Sequence, residues 1–356
     1  GDGEFEHLVF SLKYERLNLL ALRLIFEQLD PQVIVDAVQQ STKSQYARTL
    51  WYLWEFIRDD RLPLSDLPTM NATPLLLAKR YVTLKKGILS KRHRVLVNWF
   101  AFEDLVVTVE RSEAIDAALA IDWRGIIEGL TQAVPRSVLQ RAVSFLLLAD
   151  TKASFAIEGE RAEQSMIERW SKVLLEAGRY PMSVDEITRL HRIVLEGQRY
   201  IQFGLRTGNV FLGERTSLGE PHPTYIPPKG QDVYRLIEQW LGLHRFCDEK
   251  GVHPLVHAAA ISFVFVCIHP LEDGNGRLHR YLLNHLLAER KVLPVGITVP
   301  LAHQLANHIE AYKSVLEQHA KGIMPLIQWA EDSMRNIEVL NDTAHLYTHY
   351  DITDFL

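Results

Sequence analysis

Apolar residues recur at three- and four-residue spacing along most of the chain. The clearest runs are "YERLNLLALRLIFEQL" (14–29), "LQRAVSFLLLADTKASFAIEGE" (139–160), "DVYRLIEQWLGLHRF" (232–246) and "LVHAAAISFVFVCIH" (255–269). That spacing gathers the apolar side chains on one helical face, so four helices are predicted there. Pro181, Met182 and Ser183 precede "VDEITRLHRIVL", with Glu186 three residues after Ser183, and a helix capped by Ser183 is predicted. Two stretches break the rhythm. Val95 to Val109, "VLVNWFAFEDLVVTV", is rich in β-branched and aromatic residues and predicts a short hairpin. Phe203 to Gly230 is dense in Gly and Pro and carries the strand-like runs "NVFLG" and "TYIPP". A composition shift near Asp122 to Pro135 marks the expected end of an N-terminal, mostly helical region, 1–135.

Composition narrows the class without choosing a function. The 356 residues are 47% apolar and 23% charged, a balance that buries a substantial core in one large domain or two modest ones. A formal net charge of -5 gives no general attraction to nucleic acid or an anionic membrane. The runs "AVSFLLLA" and "AAAISFVFVCI" fall short of the roughly 20 residues that span a bilayer. Cys247 and Cys267 form no framework and no CxxC pair, and "GDGEFEHLVF" lacks a signal-peptide profile, so a cytoplasmic, reducing setting is expected. Lys79 to Arg94 holds seven Lys or Arg residues but no recognisable nucleic-acid motif, so a solvated basic surface is expected.

One stretch concentrates chemistry: "IHPLEDGNGRLHRYLLNHLL", Ile268 to Leu287. Pro270 disfavours helical geometry at His269, so the preceding helix ends there and leaves an imidazole at its terminus. Gly274, Asn275 and Gly276 form a turn, and helical pattern restarts at about Arg277. A glycine-rich turn entering a helix presents unpaired backbone N–H groups, which is an anion site. Arg277 and Arg280 share one face and add two charge-assisted contacts. Asp273 is placed to hold magnesium beside phosphate oxygens, and His269 to take a proton. A Gly-Asn-Gly turn alone would equally serve a plain helical hairpin with solvated arginines.

The string "HPLEDGNGRLHR", His269 to Arg280, resembles the signature of the Fic family, HPFx(D/E)GNGRxxR, with Leu271 where Phe is usual. "SFAIEG", Ser154 to Gly159, resembles the (S/T)xxxE(G/N) inhibitory motif of class II members. On a helix Ser154 and Glu158 lie about 40° apart, so one face offers a hydroxyl and a carboxylate. "RTGNVFLG" with the later "TYIPP" is similar to the family's flap, a β-hairpin over the active site. "EAYKSVL" (310–316) resembles the helix where relatives place Tyr beside adenine, which points to Tyr312 and Lys313, with core packing the alternative for Tyr312. Leu212 and Gly213 of the flap are further nucleotide candidates. The resemblance covers about Leu139 to Asp332 and leaves the N-terminal third outside.

The resemblance implies a mainly α fold: a Fic-type helical bundle over 136–340, with an inhibitory helix near 150–159 and the flap near 203–230. The N-terminal region with its short hairpin precedes it, and a tail, 341–356, follows. It also implies protein adenylylation, in which AMP moves from ATP, with Mg²⁺, to a Ser, Thr or Tyr hydroxyl. The flap would hold the target protein by strand-like pairing, self-modification is included, and a homodimer stays open. By motif position His269 is the base, Asp273 the Mg²⁺ ligand, and the N–H groups around Gly274, Asn275 and Gly276 the anion hole. Arg277 contacts phosphates and Arg280 holds the γ-phosphate, unless Glu158, with Ser154, occupies Arg280 and inhibits. Relatives that transfer UMP, phosphocholine or a phosphoryl group, or that remove AMP, leave other donors open. A binding module without catalysis is the remote alternative. The histidines of "HPLVH" (253–257) lack the Glu of a zinc-protease helix, and the GNG turn lacks a Walker ending.

Overall fold

The structure, a computed structural model, describes residues 3–161, 163–196, 201–294 and 296–356. It divides into two compact units, one of residues 1–113 with 348–353, the other of 114–347 with 354–356. The break falls at Glu113, upstream of the boundary expected near 135, because the composition shift at 122–135 belongs to helices of the second unit.

The first unit begins with α1 (Glu4–Tyr14), α2 (Leu19–Gln28), α3 (Gln32–Gln40) and α4 (Gln45–Arg58). The helix predicted over 14–29 begins only at Leu19, because the Asn18 side chain accepts from the Ala21 N–H and starts α2 there. α4 is the hub, with Leu50, Trp51, Leu53 and Trp54 buried among Phe26, Ile34 and Val95. Short strands follow: β1 (Thr73–Pro74), β2 (Ile88–Ser90), β3 (Val95–Val97), β4 (Phe100–Phe102) and β5 (Leu105–Thr108). The predicted hairpin is therefore divided between two sheets. β4 and β5 pair antiparallel, whereas β3 pairs with β1 and β2 in a separate sheet. The region is thus less helical than expected. Its basic run is solvated at Lys79, Lys85, Lys86 and Lys91, as expected, but its arginines are tied down. Arg80 pairs with Glu110, Arg92 with Glu55 and Asp66, and Arg94 bonds the Met70 carbonyl.

The second unit is mainly helical. α5 (Glu113–Ala120) opens it, then α6 (Trp123–Ala133), α7 (Arg136–Ile157), α8 (Gln164–Leu175) and α9 (Val184–Val194). The Ser183 side chain accepts from the Glu186 N–H, so the predicted cap is present. A hairpin of β6 (Leu212–Arg215) and β7 (Pro221–Tyr225) precedes α10 (Gly230–Glu249), α11 (Pro254–Ile268) and α12 (Asn275–Glu289). α13 (Leu301–Asn307), α14 (Ile309–Ile323) and the pair β8 (Trp329–Glu331) and β9 (Ile337–Val339) complete it. α11 is buried on every side from Val256 to Ile268, which is why its sequence is apolar without a polar stripe. No helix among the described residues is long and apolar enough to cross a membrane.

The segment 341–356 is no tail. β10 (His349–Asp351) pairs in parallel with β5 of the first unit, with Tyr350 opposite Val107. Phe355 packs on Phe263 within the second unit, the ring centroids 5.2 Å apart. Three short paired residues carry too little pattern to be seen as a strand in sequence.

Candidate active site

The site is built where α11 hands over to α12. His269 caps α11 with a left-handed backbone, φ 51°, so the helix ends where Pro270 disfavours its continuation. Its Nδ1 faces the Val266 carbonyl at 3.4 Å. A carbonyl only accepts, so the proton resides on Nδ1 and the Nε2 lone pair is left as the base. Burial, and then the Arg206 cation, push the His269 pKa down to about 3, so the imidazole is neutral at physiological pH.

The turn after it is held by its own asparagine. The Asn275 side chain accepts from the Leu271 N–H and donates to the Leu271 carbonyl, both at 2.9 Å. Gly274 (φ 82°) caps α12, which starts at Asn275, two residues before the expected restart. The first N–H groups of α12 point out of the helix without intrahelical acceptors. The Asp273 Oδ1 accepts from the Gly274 N–H at 2.5 Å and faces Arg277 at 3.3 Å; its Oδ2 makes no hydrogen bond among the described residues. Leu271, which replaces the usual Phe, is fully buried.

Both arginines turn inward. Arg280 donates from Nε to the Ser154 hydroxyl at 2.9 Å. Its Nη2 donates to the Ser154 carbonyl and to the Glu158 carboxylate, each at 2.8 Å. The spacing that puts Ser154 and Glu158 on one side of α7 is thus used by one guanidinium. Glu158 follows the last helical residue as its cap, so its side chain leaves α7 toward α12. A Cβ on Gly276 would overlap the Glu158 Oε1, so the seat of this carboxylate requires glycine there. Arg277 pairs with Glu160 at 2.9 Å, an acid that sequence reading missed, and lies over the Phe155 ring. Burial, then the opposing pull of Arg277 and the repulsion of Asp273 and Glu158, leave the Glu160 pKa raised. Two buried donors, Nη1 of Arg280 and Nε of Arg277, have no partner among the described residues. Unpaired buried cationic donors beside a helix N-terminus fit an anionic ligand.

A cavity of about 560 Å³ opens beside His269, walled by Leu212 and Tyr225 of the hairpin, Cys267, and Lys313 and Leu316 of α14. Gly213 (φ 144°) sits at a bulge in the hairpin where a Cβ would overlap the His222 carbonyl, so its glycine has a backbone reason. Tyr312 does not line this cavity. It is buried, stacks on His279 at 5.9 Å and lies beside Arg280. Two further residues missed in sequence brace the site. Asp150 of α7 accepts from the His303 N–H at 3.0 Å in the first turn of α13, with its pKa raised to about 6 by burial. Arg206 binds backbone around His269. The only sequence cue was its place in "FGLRTGNV". No group of three or more His, Cys, Asp or Glu among the described residues is arranged to hold a metal by itself.

A half-buried imidazole, a glycine-flanked turn at a helix N-terminus and two inward arginines thus meet at one joint. Residues 181–287 match the model of the Fic/DOC family. The chain is 31% identical over 159 residues to "Protein adenylyltransferase fic-1" of Caenorhabditis briggsae, 44% of this chain and 28% of that protein. It is 33% identical over 120 residues to "Protein adenylyltransferase Fic" of Drosophila melanogaster, 33% of this chain and 22% of that protein. It therefore spans about a quarter of the length of these curated relatives. Among solved structures, a Fic family protein from Desulfovibrio desulfuricans G20 overlaps at TM-score 0.45 with 23% identity, over 58% of this chain and 66% of that one.

Proposed function

We propose that the chain is a protein adenylyltransferase held in check by Glu158, a class II arrangement. The observation that carries this reading is the Arg280 guanidinium, shared between Ser154 and Glu158 while its Nη1 stays unpaired. A terminal phosphate needs the donors that Glu158 now occupies, so the acid and the nucleotide compete for one cation. The pair is lopsided, with the Arg280 side chain 2% and the Glu158 side chain 35% exposed. Solvent access at the acid keeps its hold weak enough to yield.

In the reaction, the Nε2 of His269 takes the proton of an incoming Ser, Thr or Tyr hydroxyl. The freed oxygen bonds to the α-phosphorus of ATP, the bond to the bridging oxygen breaks, and pyrophosphate leaves. Phosphate charge beside the ring raises its proton affinity from the low value it has without ligand. The open N–H groups of α12 hold the phosphate oxygens, and Arg277 and Arg280 fix the leaving group against them. Asp273, half-exposed with Oδ2 free, fits as the ligand for Mg²⁺, which supplies charge neutralisation across the phosphates when bound. The β6–β7 hairpin, with its outward residues exposed, offers strand pairing to a target segment. The two cysteines, buried and unpaired, suit a reducing compartment, and we place the activity in the cytoplasm.

Incubation with α-labelled ATP, CTP, GTP or UTP and a cell lysate tests this directly. ATP is expected to label protein, Glu158→Gly to increase labelling, and His269→Ala in that background to lower it by about 10²- to 10⁴-fold. Equal labelling by the unsubstituted chain and Glu158→Gly would remove the inhibitory role. Persistence of labelling in the His269 variant would remove the transferase reading.

A further inference from the structure

Arg206 is 1% exposed, and no acidic group among the described residues pairs with it. Its partners are backbone carbonyls from two places. At the end of α11, Nε donates to the His269 carbonyl at 2.7 Å and Nη2 to the Ile268 carbonyl at 3.3 Å. Its own N–H donates to the Pro270 carbonyl at 2.9 Å. At the two roots of the β6–β7 hairpin, Nη1 donates to the Gly208 carbonyl at 2.9 Å and Nη2 to the Pro228 carbonyl at 2.7 Å. One guanidinium therefore ties both feet of the flap to the residue that bears the base.

We propose that Arg206 is a positioning residue for the transfer, fixing where the His269 imidazole stands relative to the flap. The proposal rests on the adenylyl-transfer reading. His269 has a left-handed backbone that an L-residue rarely adopts, so its carbonyl direction must be held from outside. Asn275 holds the neighbouring Leu271 in the same manner from the other side, so the stretch between them is gripped at both ends. Burying a cation without an acid is costly, and the depressed pKa of Arg206, about 10, is the mark of that cost. Only a planar fork with donors in three directions spans these carbonyls; a lysine ammonium on one point does not. Arg206 touches neither cavity nor nucleotide seat, so its effect passes through His269.

The test compares Arg206→Lys and Arg206→Gln, both in the Glu158→Gly background. The expected result is a fall in kcat of about 10²-fold, the size of a misplaced catalytic group, with KM for ATP unchanged. The ring ¹⁵N resonances of His269 are expected to move in the same variants. An unchanged kcat with unmoved His269 resonances overturns the proposal. So does a parallel loss of kcat and ATP affinity, which would mark Arg206 as general scaffold. If the Glu158→Gly parent labels nothing, the transferase reading fails, and the His269 resonances still decide the role of Arg206. If neither variant folds, the guanidinium N–H signals of Arg206 in the unsubstituted protein decide. Slow exchange supports the grip on the carbonyls, and exchange as fast as a surface arginine overturns it.

Discussion

Two arginine–glutamate pairs in this chain differ in how completely they are closed. In the first unit, Arg92 and Glu55 are 12% and 13% exposed, and every side of the acid is used. Glu55 accepts from Trp51 Nε1, the Leu62 N–H, His93 and Arg92, while Arg92 also donates to the Leu62 and Leu64 carbonyls. In the second unit, Glu158 accepts one hydrogen bond from Arg280, keeps a third of its side chain in solvent and leaves Nη1 of its partner unpaired. The first pair is a finished piece of scaffold. The second is a contact with room for a replacement, and incompleteness is the property a competing phosphate requires.

Substitutions can break or sharpen this contrast. Glu55→Ala should be the most damaging, costing about 3–5 kcal/mol because Arg92 and its neighbours are left buried without their acid. Urea unfolding followed by tryptophan fluorescence of the whole chain measures it, and labelling activity should not rise. Glu158→Gly should do the reverse. Its stability cost is expected to be about 1 kcal/mol or less, since the acid is partly solvated. Its labelling rate should rise by about 5- to 150-fold, the span of an ordinary coupling energy. A stability loss as large as that of Glu55→Ala would erase the distinction between the two pairs. Glu160→Gln, on the other arginine, should raise labelling less than Glu158→Gly does, because Arg277 still faces Asp273.

The smallest effects lie in pH dependence and have opposite signs. Burial tends to raise the Glu55 carboxyl, but hydrogen bonds from Arg92 and Trp51 outweigh it and hold the pKa below 4.5. Its contribution is complete above its ordinary value and is lost as pH falls through the lowered one. Asp150, pushed up from 3.8 to about 6, behaves the other way, and its favourable neutral state is lost as pH rises toward 6. Asp150→Asn should therefore stabilise at pH 8, with the gain vanishing by pH 4. A constant difference across that window in thermal melts would contradict the assignment.

What was legible in the sequence was local. The joint from His269 to Arg280, the Ser183 cap and the shared face of Ser154 and Glu158 depend on neighbours within four residues or on a compact signature. Arg206 stands 63 residues from the carbonyl it holds, and Glu160 stands 117 from Arg277, so neither advertises its partner. In the basic run the exposed lysines were legible and the buried pairing of the arginines was not, for the same reason. Its arginines are consumed by Glu55, Asp66 and Glu110, acids or carbonyls brought together only by folding. Helical spacing could not say which face of α14 meets the cavity, and Tyr312 lies behind it, against His279 and beside Arg280. Lys313, one residue on, lines it.

The parallel pairing of β10 with β5 joins residues about 240 positions apart. On the ribosome, β5 emerges with one edge bare and must wait for its neighbour. At ordinary elongation rates that wait is roughly ten to fifty seconds. Throughout it, the edge of Val106 and Val107 is an open template for any passing strand, a hazard that chaperones or rapid burial must cover. The first unit thus waits for its last strand until nearly all of the second has been made, and chain interruption before His349 would leave it one strand short.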